Sequence, residues 1–332
     1  MDAVEHRPSL DPAVADVRRA VRAALAGVDG PVVVGLSGGA DSLALAAAVA
    51  FEAPKTGVVA SAVVIDHGLQ EGSDRVAARA VEAATALGLP ARAIRVQVGL
   101  DGGPEAAARD ARREALRAAA REAGAATILL AHTLDDQAET VLIGLARGSG
   151  ASSLAGMARV REEDGIRWVR PLLGLRRTTT RAACTAQGLP PWDDPHNLDR
   201  RFLRVRVRQD VLPLLETSLG PGVAEALART ADQLREDAEA FEEMIDETIE
   251  DIVEHAEAGI AVSVAALAAN PPALRHRIIR HVVASEFGES LTRAQTLEVS
   301  RLVTDWTGQG DIDLPGCRAR RRGSRIEFSR PA

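Results

Sequence analysis

The stretch Val32-Val33-Val34-Gly35-Leu36-Ser37-Gly38-Gly39-Ala40-Asp41-Ser42 constrains this chain more than any other. Its valine run reads as a buried strand. Two adjacent glycines then let the backbone turn tightly and expose its N–H groups. A helix beginning near Asp41 aims the positive end of its dipole at the same point. Strand, glycine turn and helix N-terminus together make an anion cradle, to which Ser37 and Ser42 add hydroxyl donors. The lysine of a GxxxxGK[ST] phosphate loop is missing, and the string is not GxGxxG. A plain strand–turn–helix corner is the alternative for a bare glycine pair. The full Ser-Gly-Gly-Ala-Asp-Ser string after the valines is far more specific.

The same alternation of short apolar runs and helical stretches continues to Leu173, with candidate strands at Pro31–Gly35, Val58–Ile65, Ile94–Val98, Thr127–Ala131 and Ile166–Leu173. This pattern predicts an α/β domain, an open parallel five-stranded sheet with helices on both faces and right-handed crossovers. Beyond it the period changes. Leu227, Ala231, Leu234, Ala238, Phe241, Ile245, Ile249 and Ile252 mark one face of a long helix from Val223, whose other face is crowded with Glu and Asp. That acidic face would repel phosphate and reads as solvent. Pro271-Pro272 opens another helix, Thr292–Val303 forms a third, and the Asp313-Leu314-Pro315-Gly316 tail reads as two strands about a turn. The boundary is expected between Thr217 and Gly222. It gives a catalytic domain over residues 1–216 and a smaller, mainly helical substrate domain over 217–332, ending in a β-hairpin.

At 332 residues, 46% of them apolar, the chain can fill two cores. A net charge of −7 from 40 basic and 47 acidic side chains gives no global attraction for nucleic acid, so any such contact needs local clusters. The N-terminus is polar, with no apolar signal core, and no apolar run approaches the length of a membrane span. Cys184 and Cys317 are far apart and read as inert packing residues in a reducing cytoplasm.

Two further motifs end predicted strands. One carries Asp66 and His67; the other carries His132, Asp135, Asp136 and Glu139. In an open parallel sheet, ligands bind beyond the carboxyl ends of the strands, so both can converge with the glycine loop on one pocket. For a lone histidine or acidic pair, helix capping or a solvated face is the alternative. Asp135, Asp136 and Glu139 lie at helical spacing, and such a cluster suits a divalent cation or an ammonium group. Arg200, Arg201, Arg204, Arg206 and Arg208, with Arg176, Arg177 and Arg181, form a basic patch that the global charge hides. Arg201, Arg204 and Arg208 can share a helix face and contact phosphates. Ion pairing with Asp193, Asp194 and Asp199 is the alternative, and both can hold. Arg318, Arg320, Arg321, Arg322 and Arg325 form a second basic run, which can equally be a solvated face.

The Ser37–Ser42 string resembles the pyrophosphatase (PP) loop of the N-type ATP pyrophosphatases, which cleave between the α and β phosphates. The resemblance narrows with Leu130–Gly150 (LAHTLDDQAETVLIGLARGSG), Ile65–Gln70 (IDHGLQ), the stretch Glu105-Ala106-Ala107-Ala108-Arg109 with Arg112, Arg113 and Leu116, Arg170–Leu173, and Trp192-Asp193-Asp194 with Asn197. Over residues 31–216 these are similar to the tRNA(Ile)-lysidine synthetase family. Thr133 stands where that family often has a second histidine, and the further C-terminal domain of longer members is not expected here.

The resemblance implies an ATP site at Ser37, Gly38, Gly39, Ala40, Asp41 and Ser42, with Asp41, His132 and Asp136 as catalytic residues. It implies a pocket for free L-lysine at Arg112, Asp136 and Glu139, tRNA contacts at Arg201, Arg204 and Arg208, and Mg²⁺ held through Asp135 and Asp136. The partner would be tRNA(Ile) with a CAU anticodon, and a homodimer is compatible with the sequence. Other PP-loop enzymes are the nearest rivals. A tRNA thiolation enzyme needs reactive or cluster-binding cysteines, for which two distant ones are a poor match. An amidating synthetase usually carries a glutaminase part, and no nucleophile motif for one is present. A non-catalytic nucleotide sensor would need neither the acidic cluster nor the arginines. The loop chemistry predicts that α-labelled ATP is converted to labelled AMP in the presence of tRNA and lysine, read by thin-layer chromatography; ADP as the main product would contradict it.

Overall fold

The computed structural model describes residues 10–68, 72–97, 99, 104–148, 150–256 and 259–330. Leu69, Gln70, Val98 and Ser149 of the motifs above lie outside the described residues, as do the first nine. The chain divides into two compact units, Met1–Arg235 and Glu236–Ala332.

The first unit opens with α1 (Pro12–Leu25), capped by the Asp11 carboxylate, which accepts from the Ala13 N–H at 2.8 Å. Then follow β1 (Val32–Leu36), α2 (Ala40–Thr56), β2 (Ala60–Asp66), α3 (Ser73–Ala86), β3 (Ala91–Arg95), α4 (Pro104–Glu122), β4 (Thr127–Leu129), α5 (Leu134–Ala146) and the single turn α6 (Ala151–Leu154). The hairpin β5 (Val160–Glu163) and β6 (Ile166–Val169) precedes α7 (Arg177–Ala186), the turn α8 (Leu203–Arg206) and α9 (Leu212–Leu219).

The sheet order is β3-β2-β1-β4-β6-β5, parallel except for β5. A five-stranded parallel sheet is therefore present, and one antiparallel edge strand is added to it. Sequence alternation misses β5 because Val-Arg-Glu-Glu is almost wholly charged, as suits an exposed edge. The third strand sits at Ala91–Arg95, where it pairs with β2, and not at Ile94–Val98. Residues along β1 and β4 alternate between two cores. Val32, Val34 and Leu129 pack with α1, α2, α3 and α7, whereas Val33 and Ile128 pack with α4 and Trp168. That period of two means helices cover both faces. The direction of winding reverses between β1 and β4, which opens a crevice at their carboxyl ends.

The helix α10 (Val223–Ile252) has the bounds its apolar stripe predicts and runs through the division at Arg235. Beyond it come β7 (Val253–Ala256), β8 (Gly259–Ser263), α11 (Val264–Ala269), α12 (Pro272–Phe287), α13 (Arg293–Thr304), β9 (Ile312–Leu314), β10 (Cys317–Arg322) and β11 (Arg325–Ser329). The expected terminal hairpin is here part of a five-stranded antiparallel sheet, β7-β8-β11-β10-β9. Ile278, Val282 and Val283 of α12 share its core with Ile260, Val262, Ile326 and Phe328. The second basic run lies on this sheet and is largely paired there. Arg318 meets Asp313 at 2.7 Å and Arg320 meets Glu327 at 2.9 Å. Among the described residues no helix is long and apolar enough to cross a membrane.

Candidate active site

The PP loop follows β1. Gly38 takes φ +83°, a backbone that L side chains rarely adopt, and an added Cβ would lie 3.3 Å from the Ala80 methyl. Gly39 caps α2 with no side-chain hydrogen bond, so the first N–H groups of a 17-residue helix are left for an anion. Ser42 is not the free donor expected from the sequence. Its buried hydroxyl donates to the Gly39 carbonyl at 3.0 Å and accepts from the Ser37 N–H at 3.1 Å, with the Ser37 hydroxyl also 3.1 Å away. Ser42 therefore clasps the loop shut, and Ser37 is its outward hydroxyl.

A cleft of about 400 Å³ opens over the strand ends. Ser37 lines it from the loop after β1, Asp41 and Ser42 from the start of α2, Asp66 and His67 from the end of β2, His132 from beyond β4, Arg112 from α4, and Trp192, Asp194 and His196 from the segment before α8. The Trp192 N–H donates to the Gly38 carbonyl at 3.0 Å, which fixes that segment against the loop. Three of the sequence motifs thus converge as the crossover logic requires. His196 escaped sequence reasoning, since nothing in its spacing relates it to the other motifs.

Burial holds His132 well below the ordinary histidine range, at about 4, against the pull of Asp136; Arg170, Arg112 and Arg204 add to the effect. Its Nδ1 is buried with no hydrogen-bond partner among the described residues. Burial, and then Arg112, also lowers His67. Both imidazoles are consequently neutral at pH 7 and act as donor–acceptors, not cations. Burial raises the Asp41 carboxyl above the usual range despite a hydrogen bond from Thr180 and the charge of Arg177. Arg112 has no carboxylate partner among the described residues. Water reaches it along the cleft, while the packed wall and then Arg109, Arg113 and Arg204 lower its pKa. A guanidinium without a carboxylate partner and crowded by other cations has the chemistry to attract an anion.

The acidic cluster stands apart from this lining. Thr133 and Asp136 form a capping box at the start of α5: the Thr133 N–H and hydroxyl donate to Asp136 Oδ2 at 2.8 and 2.9 Å. The other oxygen, Oδ1, meets Arg177 at 2.7 Å and Arg208 at 3.4 Å. Glu139, fully buried, is surrounded by Arg208 at 2.7 Å, Arg177 at 3.2 Å and Arg204 at 3.8 Å. Asp135 accepts from the Arg177 N–H at 2.7 Å and faces Arg176 at 3.1 Å. Burial alone would raise Asp136, yet Arg177, the Thr133 N–H, His132 and Arg208 pull it below the usual carboxylate range.

This geometry corrects three expectations. The four oxygens of Asp135 and Asp136 already face N–H, O–H or guanidinium donors, so the two residues do not fit a Mg²⁺ ion; among the described residues no group of three metal-type ligands occurs either. Asp136 and Glu139 are likewise not an open seat for an ammonium, because protein guanidiniums fill it. Arg204 and Arg208 turn inward to Glu139, and only Arg201 stands out, its side chain 84% exposed against 33% and 25%. Arg201 precedes the turn of Leu203–Arg206, so the three do not share a helix face; it pairs with Asp199, the alternative foreseen for it.

The fold and loop define a PP-loop enzyme of the α/β class. A family model described as PP-loop domain matches residues 16–215, and one described as TilS substrate binding domain matches residues 263–326. The chain is 60% identical over 299 residues to the tRNA(Ile)-lysidine synthase of Leifsonia xyli, covering 90% of this chain and 89% of that one. It is 53% identical over 304 residues to the enzyme of that name from Streptomyces coelicolor, covering 89% and 84%. A solved structure, the U34-tRNA thiolase NcsA of Methanococcus maripaludis with its [4Fe-4S] cluster, shares the fold with a TM-score of 0.58 at 19% identity, covering 68% of this chain and 79% of that one. The chain belongs to the tRNA(Ile)-lysidine synthase family.

The state of His132 generates a prediction. Its folded pKa lies below its unfolded value, so the unfolded chain takes up a proton that the folded chain refuses as pH falls from about 6.5 to about 4. Stability is lost across that window. Melting temperatures of the chain and of His132→Asn, measured from pH 7 to 4.5, should show a shallower fall for the variant; parallel curves would mean that His132 titrates normally.

Proposed function

We propose that this cleft binds ATP at the PP loop and adenylates the wobble cytidine of tRNA(Ile) with a CAU anticodon, after which free L-lysine is joined to C2 of the base. Family membership carries the ATP-dependent formation of lysidine on tRNA(Ile). The observation that best supports the residue roles is the meeting of Ser37, Asp41, His67, Arg112 and His132 around one cleft beyond the ends of β1, β2 and β4.

In this reading the N–H groups of Gly39 and the start of α2, with the Ser37 hydroxyl, hold the phosphates. Apolar cleft residues, among them Leu36, Val64 and Leu130, give the adenine a dry wall. The C2 carbonyl oxygen of cytidine attacks the α-phosphate and pyrophosphate leaves. A ring carbonyl oxygen is a poor leaving group, and adenylation makes it a good one. The ε-amine of lysine then attacks C2 and AMP departs. Lysine arrives as an ammonium, so a proton must be removed before attack. Asp41, whose carboxyl is raised by burial, and neutral His132 are the acceptors within the cleft. Arg112 takes the amino-acid carboxylate. Asp136 and Glu139 act from behind, by fixing the arginines that surround them. Mg²⁺ enters with ATP, neutralising its phosphates as part of the substrate.

Arg201 is the arginine of the series best placed for tRNA phosphate. The anticodon loop suits such a site because an unpaired base is readily unstacked. The reaction belongs to the cytoplasm, with the tRNA pool. The decisive experiment incubates tRNA(Ile) transcript with ATP and isotope-labelled lysine and reads nucleosides by mass spectrometry. Labelled lysine on cytidine is expected. A sulfur-bearing or amidated nucleoside, or AMP formed with no change in the tRNA, would overturn the reading.

A further inference from the structure

Helix α7 lies across the site and lines none of the cleft, yet it touches both chemical motifs. The Arg177 N–H donates to Asp135, and the Arg177 side chain reaches Asp136 and Glu139. Three residues along the same helix, the Thr180 hydroxyl donates to Asp41 Oδ1, while Arg177 Nε lies 3.5 Å from Asp41 Oδ2. One turn further, the Cys184 thiol donates to the Ala40 carbonyl at 3.3 Å. The two carboxylate oxygens of Asp41 are therefore each held from α7, by residues at i and i+3 on one face.

We propose that Thr180 is a positioning residue that fixes the Asp41 carboxylate over the PP loop. Three features make its hydroxyl a rigid donor. Thr180 is fully buried, so its side chain has no room to change wells. It is β-branched and stiff at χ1. The same oxygen also bonds the Arg177 carbonyl one turn back at 2.8 Å, which selects the side-chain rotamer that faces Asp41. A hydroxyl has one proton and both neighbours can only accept it; the charged carboxylate of Asp41 is the stronger acceptor of the two. Without that bond Asp41 would be held by Arg177 alone. The Arg177 guanidinium is shared with Asp136 and Glu139, neither of which lines the cleft. A carboxylate free to change rotamer moves its oxygens by more than the tolerance of a reacting site. Thr180 touches neither nucleotide nor base and acts only through Asp41.

The inference rests on the assignment of Asp41 to the reaction, and the test separates the two. Thr180→Val keeps shape and removes the hydroxyl; Thr180→Ser keeps the hydroxyl; Asp41→Asn removes the group being positioned. Pyrophosphate release with tRNA and lysine present is measured together with the melting temperature. Thr180→Val should lower kcat about tenfold or more, with the KM for ATP within about twofold, since one hydrogen bond to a charged group is lost from a group that acts in the chemical step. Thr180→Ser should restore most of that rate, and Ala183→Gly, which weakens the interior of the same helix at a buried position and removes no bond to the loop, should lower stability and leave kcat largely intact. If valine prevents folding, Thr180→Ala supplies the same comparison. A normal kcat in Thr180→Val with an inactive Asp41→Asn would overturn the positioning role alone. An active Asp41→Asn would overturn the assignment of Asp41 and the inference with it. A loss of rate in Ala183→Gly equal to that in Thr180→Val would reduce Thr180 to a packing residue.

Discussion

A single guanidinium, that of Arg177, lies among Asp41, Asp136 and Glu139, and its own backbone N–H holds Asp135. Burial by itself would lower the pKa of Arg177, but the surrounding carboxylates raise it well above the ordinary value. Most of the site depends on this contact. Two carboxylates as deeply placed as Asp136 and Glu139 would be costly to ionise unless cations and hydrogen bonds met every oxygen. Arg208 and Arg204 supply the remainder, and the capping box of Thr133 completes Asp136. The cluster is thus a structural joint between α5, α7 and the residues after α8. Its consequence for function is geometric: it fixes α7, and α7 reaches the PP loop through Thr180 and Cys184.

The charged groups consequently fall into two layers. Behind lies the neutralised cluster, where acid and base cancel. In front lies a cleft whose ionisable groups are kept in unusual states by burial: neutral His67 and His132, a raised Asp41, and Arg112 without a carboxylate partner among the described residues. Adenylation and amine attack require this kind of lining. An anion must be gripped where phosphate and carboxylate arrive, and groups that accept protons must not already hold them.

Much of this was legible in the sequence, for definite reasons. Valine runs followed by Gly38-Gly39 announce a strand, a turn and a helix, and strand carboxyl ends in such a sheet face one crevice. The loop, Asp66-His67 and His132 could therefore be brought together from their order alone. The long stripe from Leu227 to Ile252 fixed α10 because its period is 3.6 and its opposite face is acidic. Partner choice was not legible. Helical spacing puts Asp136 beside Glu139, but it does not say whether a lysine, a metal or a protein arginine fills the seat. Arg204 and Arg208 looked like a phosphate-facing row because the turn of their backbone toward Glu139 depends on the whole fold. Ser42 looked like a ligand donor because loop closure is invisible to a motif. The edge strand β5 carries too much charge to alternate, and Thr180 sits in a Thr-Thr-Thr run with no signal pointing to Asp41, 139 residues away.

The claim on which these relations turn is that Arg177 neutralises a buried acidic cluster, and urea denaturation of Arg177→Met tests it most directly. The account predicts a loss of about 3–5 kcal/mol in unfolding free energy, because ionised carboxylates are left uncompensated, and a partial recovery in the double variant Arg177→Met/Glu139→Gln. A single variant within about 0.5 kcal/mol of the parent chain, or a double variant whose losses simply add, would contradict it.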